Sequence, residues 1–327
     1  NGTDPLSRAR WFLSERYGEA APDCRWDPDS GSVQLTFSGQ DDRCVSIIIP
    51  LRDKVGYLKA CIDSILARTR GIRFELIIVD NGSVEPETLA YLEAVAHPGD
   101  PDDHPRIAVI RVDQPFNWSL VNNRGAAIAR GDVLLFLNND TEVLRDDWLS
   151  QLAGYARLPD VGCVGGLLLF PDGSIQHSGV VVGMNHWADH VYLGEPPGIP
   201  GPAAFAPERP FVAPAVTRNP LAVTGACLCV SRQLYDAIGG LDERFLICGS
   251  DIAFGLEAFR SGRWNVLCAQ ARLTHHESKT RDRTVPEIDF VMSAKTYEPW
   301  RTAAADPYYN PHLGLYRTRP LPALRTG

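Results

Sequence analysis

A chain of 327 residues, 44% hydrophobic and 22% charged, can bury a sizeable core as one large domain or two ordinary ones. Its formal net charge of −8 excludes a protein held to nucleic acid by basic surface. No apolar run approaches the roughly 20 residues of a membrane span, and no signal-like segment opens the chain. It begins at Asn1 rather than Met, as expected of one part of a larger multidomain protein. Its eight cysteines are scattered, with no CxxC pair. Buried reduced thiols and a cytoplasmic location are therefore expected rather than a disulfide scaffold.

Residues 1–44 read as an N-terminal appendage, with a helix over 6–17 and a strand over 33–37. From Val45 the pattern changes. Apolar strands are predicted at 45–50 (VSIIIP), 74–80 (FELIIVD), 107–111 and 133–138, with helices near 57–67, 87–96 and 120–129 between them. Strands apolar along their whole length, alternating with helices, predict an α/β fold with a mostly parallel sheet covered on both faces. Ligands of such sheets bind beyond the carboxyl ends of the strands. Those ends fall at 50–53, 80–83 and 138–140, where polar residues collect.

Further along, 162–170 and 175–182 suggest a hairpin turned by Pro171-Asp172-Gly173. Residues 183–220, rich in Pro, Gly and Ala, read as a long mobile surface loop. Trp187 and Tyr192 near its start offer open aromatic faces for ligand stacking. A strand over 221–230, a short helix from 233, a helix over 251–261 and a strand over 264–269 follow, and then His275-His276.

Taken one at a time, these residues leave alternatives open. Asn138-Asn139-Asp140 at a strand end could ligate a divalent cation or simply cap a turn. Asp80 could accept a hydrogen bond from a nucleobase or shape its own turn. Asp251 could be an N-cap or a general base. His186 and His190 share i, i+4 spacing, but Trp187 stands where HExxH has its glutamate, which excludes the zinc-protease reading.

Six segments in order carry a resemblance: VSIIIPLRD, FELIIVDNGS, FNWSLVNNRGAAIARGDVLLFLNND, VTGACLCVSR, GGLDERF and HHES. Over about 45–281 the chain resembles the inverting family 2 glycosyltransferases of GT-A fold, and DPYYNPHL near its end resembles the bacterial polysaccharide and O-antigen members. The resemblance implies a nucleotide-sugar-binding half over 45–140, an acceptor-binding and catalytic half over 141–285, and a C-terminal extension over 286–327. It assigns Pro50, Arg52, Asp53, Asp80, Asn117, Asn138 and Asn139 to the nucleotide. Asp140 and His275 would hold a divalent cation, Mn2+ or Mg2+, and Lys279 and Arg281 would meet the diphosphate. Asp251 would be the catalytic base, while Gly225, Trp187, Asp242 and Glu243 would face the donor sugar or the acceptor. Two departures stand out: only Asp140 keeps a carboxylate in the metal motif, and Ser250 precedes the base where glutamate is common.

The partners implied are a UDP- or dTDP-sugar, of rhamnose or a hexose, and a glycan or lipid-linked glycan acceptor at or near the inner face of the membrane. Two rivals are weighed against this. A nucleotide-sugar nucleotidyltransferase would carry a Gly-rich basic phosphate loop after its first strand, and PLRDKVGYL lacks one. A catalytically impaired carbohydrate-binding domain would not be expected to keep Asp80, Asp140, Asp251 and His275 together.

Overall fold

The computed structural model describes residues 4–28, 31–37, 43–96, 105–198, 214–277, 285–301 and 306–323. The chain opens on helix α1 (Pro5–Tyr17), capped by the Asp4 carboxylate, which accepts from the Leu6 and Ser7 amides. An antiparallel pair follows, β1 (Asp23–Asp27) and β2 (Ser32–Thr36). Leu35 and Phe37 pack onto the main core, and Tyr17 donates to Asp160.

The main sheet begins as expected. Strand β3 (Cys44–Leu51), helix α2 (Val55–Arg68), β4 (Arg73–Asp80), α3 (Pro86–Val95), β5 (Ile107–Arg111), α4 (Trp118–Ile128) and β6 (Val133–Leu137) form alternating units. Strands β5, β4, β3 and β6 lie side by side in that order, all parallel. Alternate side chains serve opposite faces. Ile47 and Ile49 pack with Leu58 and Ile62 of α2, whereas Ile48 packs with Val121 of α4 and with Phe136. All of these side chains are buried, each contributing roughly 1.5–3 kcal/mol. This is why the strands show no polar alternation.

The second half adds β7 (Thr141–Val143), α5 (Trp148–Ala156), β8 (Val161–Leu169), β9 (Ile175–His177), β10 (Val180–Val182), β11 (Ala188–His190), β12 (Cys227–Ser231), α6 (Arg232–Ile238), α7 (Ser250–Arg260), β13 (Trp264–His275) and α8 (Glu287–Tyr297). Strands β12, β8, β13 and β7 continue the same sheet, making nine strands with β9 added alongside β8. Strand β12 runs antiparallel to both β6 and β8. The result is a mixed sheet flanked by helices.

Several expectations are corrected here. The strand foreseen over 221–230 is confined to Cys227–Ser231, and the backbone before it is irregular. The hairpin at Pro171–Gly173 forms, but only β9 pairs with β8. After Gly179 the chain leaves the sheet and pairs as β10–β11. Residues 183–198 are accordingly no bare loop, because Met184, Val191 and Tyr192 are buried. Residues 199–213 of that expected loop lie outside the described residues. Helix α5 was not foreseen because all nine of its residues are buried, so it has no polar face and no stripe to read.

All eight cysteines are free. Burial pushes most of their thiols up, Cys61 to about 12. Cys248 departs from the expectation, being exposed. Among the described residues no helix is long and apolar enough to cross a membrane.

Candidate active site

Two corners meet at the carboxyl end of β6. The first is built by Asn138-Asn139-Asp140 and by the end of β13. Strands β7 and β13 pair with Thr141 opposite His275, and the His276 amide donates to the Asp140 carbonyl at 3.0 Å. This pairing lays the His275 ring against Asp140. Its Nε2 lies 3.1 Å from Asp140 Oδ1 and 3.3 Å from Asn138 Nδ2. On the far side of the ring, Nδ1 sits 2.5 Å from Gln176 Oε1.

An amide oxygen only accepts, so Nδ1 must carry the proton when it bonds Gln176. A neutral ring then presents the lone pair of Nε2, the form in which imidazole ligates metal. In that neutral form the lone pair would face a carboxylate oxygen, two acceptors side by side, with Asp140 only 4% exposed. A cation shared between them would relieve the repulsion. Among the described residues no three His, Cys, Asp or Glu side chains converge as a complete cage. Two protein ligands nonetheless fit Mg2+ or Mn2+, which keep several waters and take further oxygens from substrate phosphates.

The second corner is Thr224-Gly225-Ala226 with Asp251. Gly249, in the left-handed region, occupies the N-cap of α7, so Asp251 is not the cap but lies in the first turn. Its Oδ2 accepts from the Gly225 amide at 2.7 Å, and the half-buried carboxylate remains reachable. Gly225 has to be glycine because the Trp118 indole lies beneath it, and a Cβ would come within 2.6 Å of that ring. The Asn138 amide donates to the Ala226 carbonyl at 3.0 Å, and the Thr224 amide points to His177 Nε2 at 3.4 Å. Three consecutive residues therefore connect the Asp140–His275 corner to the Asp251 corner.

Beside them, the ends of β3 and β4 hold the expected nucleotide residues, several already engaged with one another. Asp80, 2% exposed, accepts from the Ser83 amide at 2.8 Å and pairs with Arg111 at 2.9 Å. Asp53 adopts a positive φ of 55°, and its carboxylate accepts from the amides of Val84 and Glu85, clasping the two loops together. Pro50 is buried within β3, and Arg52 is exposed at its end. Asn117 caps α4 through the Leu120 amide and donates to the Glu243 carbonyl. Glu243 in turn accepts from Asn123. Arg244 beside Asp242 holds that carboxyl below its usual range.

Trp187 packs against Phe290 and Tyr297, with the Arg301 guanidinium over its ring. Tyr192 is buried under Arg218. Both aromatics are committed to the protein's own packing, which corrects their reading as open platforms for sugar. Lys279 and Arg281 lie outside the described residues. Gln176 carried no signal in the sequence, since it meets His275 from 99 positions away.

Parallel strands ending on this polar edge, continued across the antiparallel β12 to β8 and to β13, whose end delivers His275 to it, make a GT-A glycosyltransferase fold. Two solved structures share it. One is GalNAc-T7 with UDP, GalNAc and Mn2+, at a TM-score of 0.61 and 14% identity over 89% of this chain and 56% of that one. The other is the mannosyltransferase PcManGT from Pyrobaculum calidifontis in complex with GDP-Man and Mn2+, at 0.53 and 12% over 93% and 80%. Residues 46–183 match the family model of glycosyl transferase family 2, and the chain carries a family 2 glycosyltransferase domain. It is 44% identical over 304 residues to the O-antigen biosynthesis protein RfbC of Myxococcus xanthus, covering 93% of this chain and 23% of that protein. The chain thus spans about a quarter of the length of that relative.

Proposed function

We propose that this chain transfers a sugar, with inversion, from a UDP- or dTDP-linked donor to a glycan or lipid-linked glycan in O-antigen or related polysaccharide synthesis. One observation carries the reading. The Asp251 carboxylate is tied through Gly225 and Ala226 to Asn138, beside Asp140 and His275. A proton acceptor and a cation-binding pair are thereby joined across a short, rigid span.

The chemistry follows from that arrangement. Asp251 takes the proton of the acceptor hydroxyl as its oxygen bonds the anomeric carbon. The bond from that carbon to the diphosphate breaks, and its electron pair leaves with the nucleoside diphosphate. Attack opposite the leaving group inverts the anomeric centre. A single displacement needs one base, not the paired carboxylates of hydrolases. A divalent cation held by Asp140 and His275 would supply positive charge against the departing diphosphate, with Lys279 and Arg281 adding to it. Asp80, paired with Arg111, would meet the nucleobase.

A panel of UDP-, dTDP- and GDP-sugars tests this reading. At least one should release its nucleoside diphosphate with Mn2+ or Mg2+, stop in EDTA and resume when the metal is returned. Full turnover in EDTA would assign the charge stabilisation to the protein's own cations. Glycan binding without turnover of any donor would favour the impaired carbohydrate-binding domain.

A further inference from the structure

The buried carboxylate of Asp289 has no part in the chemistry above, yet it is built into the approach to Asp251. Asp289 is 0% exposed and lies in the first turn of α8. Its two oxygens accept from three consecutive amides, Leu246 at 2.7 Å, Ile247 at 2.8 Å and Cys248 at 3.1 Å. One helical turn on, Ser293 meets the same segment, where a Cβ on Gly249 would come within 2.7 Å of its Oγ. Gly249, at φ 99°, begins α7 and stands two residues before Asp251.

The clamped segment reaches Asp251 by two routes. Along the chain, it fixes where α7 starts and so where its first-turn carboxylate points. Through space, the Leu246 carbonyl accepts from the Trp118 amide at 2.9 Å. The Trp118 indole supports Gly225, and Gly225 donates to Asp251. Both routes form one closed circuit that Asp289 anchors at a single point.

We infer that Asp289 is a positioning residue for Asp251: by gripping residues 246–248 it holds the carboxylate and the Gly225 amide in register. This rests on Asp251 being the general base. Displacing a reacting group by about 1 Å costs on the order of 10²-fold in rate, so the grip bears on turnover without touching substrate.

Amide hydrogen exchange on Asp289→Asn tests the inference without needing the donor. The substitution keeps the shape but turns an amide donor toward backbone donors. The amides of Gly225 and residues 246–248 should exchange at least about tenfold faster through local opening, while those of β4 keep their wild-type rates. UDP affinity with Mn2+ should be unchanged, and turnover of whichever panel donor is active should fall by roughly 10²-fold. Wild-type protection at Gly225 overturns the inference, and so does a uniform rise across all amides, which marks a merely structural role. If Asp289→Asn does not fold, Gly249→Ala is judged by the same criteria, and failure of both to fold also overturns it. Turnover of Asp251→Asn, measured beside them, separates the two readings: wild-type turnover there removes the base while leaving the exchange result standing.

Discussion

Gln176 shows how much one side chain decides. By accepting from Nδ1 of His275 it turns Nε2 toward Asp140 and Asn138. Such supporting partners are typically worth about 10–100-fold in metal affinity. Gln176→Leu should therefore raise the Mn2+ concentration for half-maximal activity by about that factor while leaving the fold intact, as a metal titration would show. An unchanged titration curve would mean that the histidine is oriented by something else. Asp140 and His275 stand out in the sequence because they fall in recognisable segments, and Asp251 because it stands at the start of a predicted helix. Gln176 and Asp289 were not, because an amide in a strand and a carboxylate in a helix have no pattern until folding gives them partners.

Elements were legible where their environment was uniform. Strands β3, β4 and β6 are largely buried on both faces and read as apolar runs, interrupted inside β3 and β4 by the buried Ser46 and Glu75. In the second half the signal fails for identifiable reasons. Strand β13 continues through Gln270, Arg272 and Thr274 with a register shift after Cys268. Helix α8 exposes Ile288, Phe290 and Val291 while burying Asp289, the reverse of an ordinary amphipathic face. The β10–β11 hairpin carries a further consequence. His190, on β11, sits against His177 with Nδ1 atoms 3.1 Å apart, and burial pushes both rings down, His177 well below 6.5. The neighbouring charges of His190 and Arg218 add to the effect on His177, whereas Asp189 and Asp251 oppose it at His190. Below about 6.5 the unfolded chain binds protons that the folded pair refuses, so stability is full above that pH and lost as pH falls toward the folded values. Melting temperatures should drop between about pH 7 and pH 5. A flat profile would show that the pair charges freely in the fold.

Across the described residues, one sheet runs from β5 to β7, and the Asp140–His275 and Asp251 corners are packed into one body around it. The segment after 285, expected as an extension, supplies Asp289 to that body and Tyr297 to its packing. The chain covers 23% of the Myxococcus relative. The central claim is that Asp251 removes the acceptor proton, and one substitution tests it most directly. Asp251→Asn keeps an oxygen for the Gly225 amide but removes the base. Turnover should fall by about 10²–10⁴-fold with nucleotide affinity unchanged. Turnover within a few-fold of wild type would contradict the account.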